Sequence, residues 1–364
     1  MLTDGEADLK RRFNWELKVL MIWDVMNVAY YLTKGLLDRN VQTHLLVPRR
    51  VKAREFYMSH LFPSDNITLT NAGSTLALLK ELRRQEYNDF DLFHAHYALS
   101  PAICCALLGK RFLVHCYGSD VREVAKKLKY RYFVKFGLRK AKKVLVSTPD
   151  LIRHVEDLGV EPEFLPCPID LDVFRPCESE IDLRLGFDFV LFHPSRIEWQ
   201  SKGTDKVVRA FSRIVDHGQR GRLVMVDYGP DLERTKKLIN ELKIGKNVLF
   251  VPPIPHQEMP NYLNSCDIVL DQFNIGHFGL VSIEGMSCGK PVVVDYRFTE
   301  HYGVVPVVRA STIDEISLKI EELLNDEALR DSLGEVGRRY VVEHHALPKI
   351  VDDLLNIYEE ILRC

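Results

Sequence analysis

The sequence predicts an α/β protein built from two doubly wound units that face each other across a cleft. Short apolar runs alternate with amphipathic helical patterns along the whole chain, which is typical of parallel sheets covered by helices. The pattern restarts after a proline-rich stretch, residues 164–178, which suits a linker. The length of 364 residues is enough for two domains.

The charge distribution supports the same division. Residues 1–177 carry 27 Lys+Arg and 21 Asp+Glu, whereas residues 178–364 carry 22 and 30. We therefore expect a first domain at 1–177 and a second at 178–345. A last helical stretch, 346–364, is expected to pack back on the first domain.

Each element of the first half follows from its local pattern. Apolar runs predict five strands, and spaced apolar residues predict helices between them. The predicted strands are Lys18–Trp23, Thr43–Val47, Leu92–His96, Phe112–Cys116 and Lys143–Ser147, and two of the helices are Val28–Leu37 and Leu76–Gln85.

The second half repeats this order. Ligands of such sheets bind at the carboxyl ends of the strands, so the expected site lies there. The predicted strands are Phe189–His193, Leu223–Asp227, Val248–Val251, Ile268–Leu270 and Pro291–Val294. The predicted helices are Asp205–Val215, Asp231–Glu241, Gln257–Leu263, Leu280–Ser287 and Ile313–Leu324.

Several protein classes are excluded by composition. Apolar residues make up 46% and charged residues 27% of the chain, as in soluble globular proteins, and the most apolar uncharged stretch is too short to span a bilayer. The charged start, Met1–Arg12, does not resemble a signal peptide. Without a secretory route, the eight scattered cysteines are expected to be thiols, and because none forms a CxxC pair, neither a zinc site nor a disulfide framework is indicated.

Two cations mark the loop after strand Phe189–His193. Arg196 and Lys202 lie between this strand and a helix that starts near Thr204. Fixed cations beside a helix N-terminus form a site for a diphosphate. The alternative is two solvated bases on a loop.

A second segment, residues 276–291, has the pattern of a phosphate and ribose site. Free N–H groups of Gly279, Leu280 and Val281 would start a helix and bind phosphate. Glu284, one turn later, could accept hydrogen bonds from both hydroxyls of a ribose. The alternative is an ordinary strand–helix–strand unit with an exposed glutamate.

Together these segments resemble the retaining glycosyltransferases of family 4, which have the GT-B fold of two facing Rossmann-like domains. The resemblance covers nearly the whole chain, and its specific part is the order of four C-terminal motifs. These are Arg196 with Lys202-Gly203, Gly229-Pro230, Asn247-Val248 with Pro252–Pro255, and Phe278-Gly279-Leu280 with Glu284 and Gly289-Lys290-Pro291.

The resemblance implies a role for each matching residue. Arg196 and Lys202 would bind the donor diphosphate, Pro253 and Ile254 would contact the base, and Glu284 would bind the ribose. In the first half, the segment His115–Asp120 resembles an acceptor-side motif, so His115 or Asp120 would orient the donor sugar or the acceptor. Cys167–Asp170 with Phe174 resembles a motif near the hinge.

Three positions depart from the family pattern. Gly276 stands where the first of two glutamates is usual, and His277 and Asp271 are the nearby polar substitutes. Tyr117 replaces a histidine, although His115 would project to the same side of the strand. The first loop lacks its usual glycines, but Asn27 could still bind a hydroxyl of donor or acceptor.

A segment with two histidines is a candidate metal site. His94 and His96 project from one face of a strand, but the sequence identifies no third ligand, so a polar core pair is expected. The resemblance also implies that protein cations, and not a metal, act on the donor phosphate. The sequence thus predicts neither a metal nor another cofactor.

The resemblance implies sugar transfer from a UDP- or GDP-sugar to a hydroxyl of a glycan or polyprenyl-linked acceptor. The expected setting is cell-surface polysaccharide or glycoconjugate synthesis in the cytoplasm, without a nucleic-acid partner. One alternative is a nucleotide-sugar-binding protein without transferase activity. Another is an epimerase or phosphorylase of the same fold.

A basic segment suggests a membrane-facing surface. From Asp120 to Lys143 the chain has ten basic and two acidic residues, and residues 122–143 also hold four aromatic side chains. Such a surface suits an anionic leaflet. The alternative is that the aromatic residues belong to the core and the bases are merely solvated.

Overall fold

The computed structural model describes residues 17–49, 58–61, 64–298 and 304–363, which form two compact units. Unit 1 consists of the chain up to Pro168 together with the last segment from Leu347, and unit 2 comprises Ile169–Ala346. The division therefore precedes the expected boundary at 177. Ile169 belongs to unit 2 because it pairs with the end of that unit: its N–H donates to the carbonyl of His345 at 2.8 Å. Met1–Arg12 and Cys364 lie outside the described residues.

Unit 1 contains a parallel sheet of seven strands. Its spatial order is β3-β2-β1-β4-β5-β6-β7. The strands are β1 (Lys18–Ile22), β2 (Gln42–Pro48), β3 (Ile67–Thr70), β4 (Leu92–His96), β5 (Phe112–Cys116), β6 (Lys143–Val146) and β7 (Glu163–Phe164). The helices are α1 (Val28–Leu37), α2 (Met58–Leu61), α3 (Thr75–Glu81), α4 (Ser100–Leu107), α5 (Leu128–Lys140) and α6 (Asp150–Glu156).

Unit 2 contains a second parallel sheet, with the order β10-β9-β8-β11-β12-β13. Its strands are β8 (Phe189–His193), β9 (Gly221–Val226), β10 (Val248–Val251), β11 (Ile268–Leu270), β12 (Val292–Val294) and β13 (Val308–Arg309). Its helices are α7 (Thr204–Asp216), α8 (Leu232–Glu241), α9 (Met259–Asn264), α10 (Leu280–Ser287), α11 (Ile313–Asn325) and α12 (Glu327–His344).

The predicted α/β class, with helices on parallel sheets, is confirmed. All ten predicted strands are present within one or two residues of their expected bounds. Three strands were missed, namely β3, β7 and β13. Each is a short outer strand with few buried side chains, so its hydrophobic pattern is weak.

The last helix, α13 (Leu347–Arg363), belongs to unit 1. Its buried positions, which include Ile350, Leu354 and Tyr358, recur at helical spacing. It packs against α1, and Arg39 donates from Nε to Asp352 at 2.6 Å at the edge of this contact.

Two further features concern the described residues as a whole. None of their helices combines the length and the apolar content needed to cross a bilayer. No disulfide joins their seven cysteines, and of these only Cys177 is exposed.

Candidate active site

The loop between β8 and α7 carries the predicted cations. Lys202 donates from Nζ to Oε1 of Gln272 at 2.8 Å, and its carbonyl accepts from the N–H of Phe273 at 3.0 Å. Gly203 follows with φ of +64°, and a Cβ there would lie 2.9 Å from the Cβ of Phe273. Only glycine fits this close approach, which fixes Lys202 beside the carboxyl end of β11.

Arg196, on the same loop, is accessible to a ligand. Its side chain is 49% exposed, and Nη2 donates to both carboxylate oxygens of Glu198 at 3.0 Å. An exposed ion pair of this kind contributes little to stability. A phosphate can therefore replace Glu198 at low cost.

His193 anchors the start of this loop. Nδ1 lies 2.9 Å from the carbonyl oxygen of Leu270, and Nε2 lies 3.2 Å from the hydroxyl of Thr204 at the start of α7. Burial lowers the pKa of His193 to about 4, against a weaker raising effect of the Leu270 carbonyl. The imidazole is therefore neutral and serves as a bridge between β8, β11 and α7.

Glu284 lies inside unit 2. It is 3% exposed, and Oε1 accepts a hydrogen bond from Nε2 of His256 at 2.8 Å. His256 ends the loop that follows β10, and its ring packs against Phe174 with centroids 4.9 Å apart. The structure thus links the predicted ribose ligand with the loop that holds Pro253, which is half-buried, and Ile254, which is buried.

The predicted phosphate site at the start of α10 differs from expectation. The N–H of Gly279 is not free, because it donates to Oδ2 of Asp271 at 2.6 Å. The hydroxyl of Ser282 donates to the same oxygen at 2.7 Å. The fully buried Asp271 therefore takes the place of an external anion at this N-terminus, where a negative charge is stabilised. Leu280 and Val281 form the first turn behind it.

Gly276 lies beneath a cation. Its φ is +82°, and a Cβ there would meet Nε of Arg297 at 2.5 Å and Nη2 at 2.7 Å. Arg297 also donates from Nη2 to Asp295 at 3.1 Å. The following His277 is 1% exposed, and its ring stacks on Phe278 at 4.6 Å between centroids. A guanidinium therefore covers the backbone at the position where the family pattern has a glutamate.

In unit 1, Asp120 holds a turn. Its buried carboxylate accepts N–H groups of Ala98 (3.1 Å), Tyr117 (3.3 Å), Gly118 (2.9 Å) and Val121 (3.1 Å). Burial raises the pKa of Asp120, and the four N–H donors oppose that shift. This geometry supports positioning of the loop after β5; contact with a substrate stays a prediction.

The other first-half candidates also point inward. The hydroxyl of Tyr117 lies 2.6 Å from Nδ1 of His96, and His115 is fully buried beside them. Asn27, 3% exposed with φ of +63°, accepts the N–H of Met58 at 2.7 Å. The proposed contacts of these three residues with donor or acceptor remain predictions.

In this region the structure brings in a residue that the sequence did not identify. His94 and His96 do have a third histidine beside them, because His96 on β4 pairs in register with His115 on β5. The residues are far apart in sequence, so spacing along one strand could not reveal the third imidazole.

Sequence reasoning also missed three polar partners in unit 2. They are His256, Gln272 and Arg297, each beside a predicted residue. Gln272 is the second residue after β11 and His256 closes the loop after β10, so their positions at strand carboxyl ends were a usable signal. For Arg297 the sequence offers no comparable signal, because its relation to Gly276 depends on loop conformation.

Comparisons with known families match the two halves separately. Residues 25–173 match the family described as Glycosyltransferase Family 4. Residues 184–340 match the family described as Glycosyl transferases group 1.

Two curated relatives illustrate the match. N-acetyl-alpha-D-glucosaminyl L-malate synthase of Bacillus anthracis is 26% identical over 294 residues, which cover 76% of each chain. A GDP-mannose-dependent monoacylated alpha-(1-6)-phosphatidylinositol monomannoside mannosyltransferase of Corynebacterium glutamicum is 26% identical over 59% of this chain and 61% of that protein.

Solved structures share the fold at low sequence identity. Sucrose-phosphate synthase of Thermosynechococcus elongatus is 18% identical, with a TM-score of 0.78 over 95% of this chain and 99% of that one. HepE of Anabaena, solved with UDP and glucose, is 17% identical, with a TM-score of 0.75 over 94% and 100%. Given this fold and the matched models, the chain is a group 1 glycosyltransferase of family 4 and has the GT-B fold.

Proposed function

We propose that this chain transfers a sugar, with retention, from a UDP- or GDP-sugar to a hydroxyl of a glycan or polyprenyl-linked acceptor. Such a reaction would serve the synthesis of cell-surface polysaccharide or glycoconjugate. The observation that carries the proposal is the buried bond between Glu284 and His256, because it holds a carboxylate in place where a ribose could bind. Burying a carboxylate costs free energy of folding even when one of its oxygens is hydrogen-bonded. A binding role therefore explains the position of Glu284 better than a purely structural one.

The cations of the same sheet complete the donor half-site. Arg196 and Lys202 follow β8, and Gln272 follows the neighbouring β11. As the bond between the anomeric carbon and the phosphate oxygen breaks, negative charge grows on the leaving nucleoside diphosphate. Both cations would interact more strongly with that charge than with the bound substrate, and this difference accelerates transfer.

The acceptor hydroxyl and the leaving phosphate complete the reaction. The acceptor oxygen forms the new bond to the anomeric carbon, and its proton passes to the departing phosphate oxygen. No separate enzymic base is then required. We propose that protein cations supply the charge stabilisation and that transfer uses no divalent ion.

The names of relatives support this class of donor and acceptor. The Corynebacterium relative is named as GDP-mannose-dependent and acts on a phosphatidylinositol mannoside. HepE was solved with UDP-glucose. These names agree with a nucleotide-sugar donor, and they leave uridine and guanosine both open for this chain.

The second candidate is a protein that binds nucleotide sugars without transferring them. Gly276 motivates it, since the carboxylate expected there is replaced by glycine under Arg297. Incubation with radiolabelled nucleotide sugars and a lipid or glycan extract separates the two. Labelled product supports transfer, whereas tight donor binding without consumption of donor supports the binding protein.

The donor base is found most directly by thermal shift. UDP, GDP, ADP and their sugars are compared as added ligands. A ligand at 100 times its Kd adds about 2.7 kcal/mol of stability, which raises the melting temperature measurably. Stabilisation by none of the uridine or guanosine compounds would contradict the proposed donor class.

We further propose that the enzyme works at the cytoplasmic face of the membrane through the start of α5. Leu128 is 85% exposed, Tyr132 76% and Phe133 45%. Lys126, Lys127 and Lys129 are exposed beside them. Apolar side chains ringed by lysines suit insertion at an anionic lipid surface.

A further inference from the structure

Three buried imidazoles meet on the sheet of unit 1. His94 and His96 lie on β4 and His115 lies on β5, and all three are fully buried. One ring nitrogen from each can be chosen so that the three lie within 4.8 Å of one another. Strand periodicity and register explain this meeting, because residues 94 and 96 share one face and His115 pairs with His96.

The cluster has unsatisfied nitrogens. Nε2 of His94 and both ring nitrogens of His115 are buried without a hydrogen-bond partner of normal geometry, although the backbone of Leu165 lies near His115. Buried polar atoms are nearly always paired, and an orphan commonly marks an unseen ion or water. Unpaired nitrogens on two neighbouring imidazoles therefore call for a partner.

The protonation states suit a cation. Burial lowers the pKa of all three histidines, to about 3 for His115, and the neighbouring imidazoles lower those of His94 and His96 further. All three are therefore neutral at pH 7. Neutral imidazole, with a lone pair on nitrogen, is the form that binds metal.

Two tyrosines hold the outer nitrogens. The hydroxyl of Tyr358 lies 2.8 Å from Nδ1 of His94, and that of Tyr117 lies 2.6 Å from Nδ1 of His96. Metal-binding histidines typically have one nitrogen fixed in this way, which aims the other at the ion. In both residues the nitrogen held by tyrosine is Nδ1, which leaves Nε2 as the candidate ligand atom, and Nε2 of His96 lies 3.2 Å from the thioether sulfur of Met21.

We propose that His94, His96 and His115 bind one divalent first-row transition ion of the Zn²⁺ class. Three neutral imidazoles with a nearby thioether match the ligand preference of such ions and not that of Mg²⁺ or Ca²⁺. Bonds of about 2.0–2.1 Å require the three nitrogens to approach one another. The rings of His94 and His96, now stacked at 4.1 Å, must tilt to achieve this.

The ion has a structural role in this proposal. Tyr358 belongs to the last helix, so the site would tie α13 to β4 and β5. The residues belong to unit 1, whereas the proposed donor half-site belongs to unit 2. The proposal therefore does not rest on the proposed transfer reaction.

The first test measures metal in the untagged full chain. The protein is unfolded with chelator, refolded with Zn²⁺ or Co²⁺, desalted and analysed by mass spectrometry for metal. We expect a stoichiometric ion in the wild type, and visible Co²⁺ absorption bands of a tetrahedral imidazole site. A wild type that refolds, retains no ion and shows no such bands overturns the proposal.

Variants locate the site. His96→Gln should lose the ion, whereas the control His344→Gln, at a half-exposed histidine of α12, should retain it. Tyr358→Phe keeps the ring and removes the hydroxyl, so metal affinity should fall about 10–100-fold while the helix stays packed. If His96→Gln fails to fold, Tyr358→Phe still tests the proposal. An unchanged metal affinity in that variant would contradict the assignment of the site.

Discussion

Nε2 of His256 lies 2.8 Å from Oε1 of Glu284, and both side chains are buried. The bond connects the loop after β10 with the middle of α10. A carboxylate fixed in this way keeps its other oxygen in one orientation, which favours recognition of two adjacent hydroxyls. Substitution of either Glu284 or His256 should therefore change the affinity for the nucleotide and not the recognition of the sugar.

Glu284→Gln should weaken binding of the free nucleoside diphosphate. The substitution keeps the shape and removes the charge that the ribose hydroxyls would share. Charged hydrogen bonds contribute about 1.5–3 kcal/mol, so calorimetry should give a Kd roughly tenfold higher or more. His256→Asn should act in the same direction, because it releases the carboxylate.

Glu258→Gln is the matched control for this pair. Glu258 is exposed and lies two residues after His256, so its charge is removed without touching the bond. Unchanged nucleotide affinity in Glu284→Gln would show that Glu284 is not the ribose ligand.

Arg196→Ala and Lys202→Ala should each lower turnover while the fold remains intact. Both cations would face the leaving diphosphate, and each charged bond lost corresponds to a rate roughly tenfold lower or more. The measurement is the initial rate at saturating donor, with circular dichroism to check folding. Lys246→Ala, at an exposed lysine of unit 2, is the control, and wild-type rates in both test variants would exclude the diphosphate role.

Gly276→Ala should destabilise the protein. The backbone there has φ of +82°, and the new Cβ would lie 2.5 Å from Nε of Arg297. Left-handed backbone costs a non-glycine residue of order 1–3 kcal/mol, and displacement of Arg297 adds to this. Thermal denaturation should show a lower melting temperature than for Gly73→Ala, where a Cβ meets no atom within 4 Å. Equal melting temperatures would contradict the described loop.

These sites show which parts of the molecule are readable from sequence. Strands such as β5 and β8 were predictable because each is a continuous apolar run, and the loop after β8 was predictable because its cations follow directly in sequence. The partners of those residues were not. The bond from His256 to Glu284 and the meeting of His96 with His115 depend on which elements become neighbours in space, and the pattern of a single segment does not give that order.

Acid should destabilise unit 2 through His193. The pKa of His193 is about 4 in the folded protein and about 6.5 in the unfolded chain, so between these values the unfolded state binds more protons. The stabilisation is therefore present above pH 6.5 and lost as the pH falls. Between pH 7 and pH 5 the loss is about 2 kcal/mol.

Urea unfolding at both pH values measures this loss. His193→Gln has no group that titrates in the range, so its free energy of unfolding should fall by about 2 kcal/mol less than that of the wild type. His217→Gln, at an exposed histidine, is the control and should behave like the wild type. A parallel fall in wild type and His193→Gln would show that His193 is protonated without cost.

The exposed start of α5 should bind anionic membranes. Tyr132 and Phe133 lie one helical turn beyond Leu128 and Lys129, and this spacing places apolar and basic side chains on one face. The alternative that Tyr132 and Phe133 are core residues is wrong, because they are 76% and 45% exposed. Phe136 is half-buried and contributes less.

Flotation with phosphatidylglycerol liposomes at low and high salt measures this binding. Each nearby lysine contributes about 1 kcal/mol at an anionic surface, so binding should be strong at low salt and reversed by high salt. A triple lysine-to-Gln variant at the start of α5 should no longer bind the liposomes. A triple variant of the same kind in unit 2 should still bind them. The test set is Lys126, Lys127 and Lys129, and the control set of equal charge is Lys237, Lys243 and Lys246. Equal flotation of both triple variants would exclude this surface, because net charge alone would then explain the attraction.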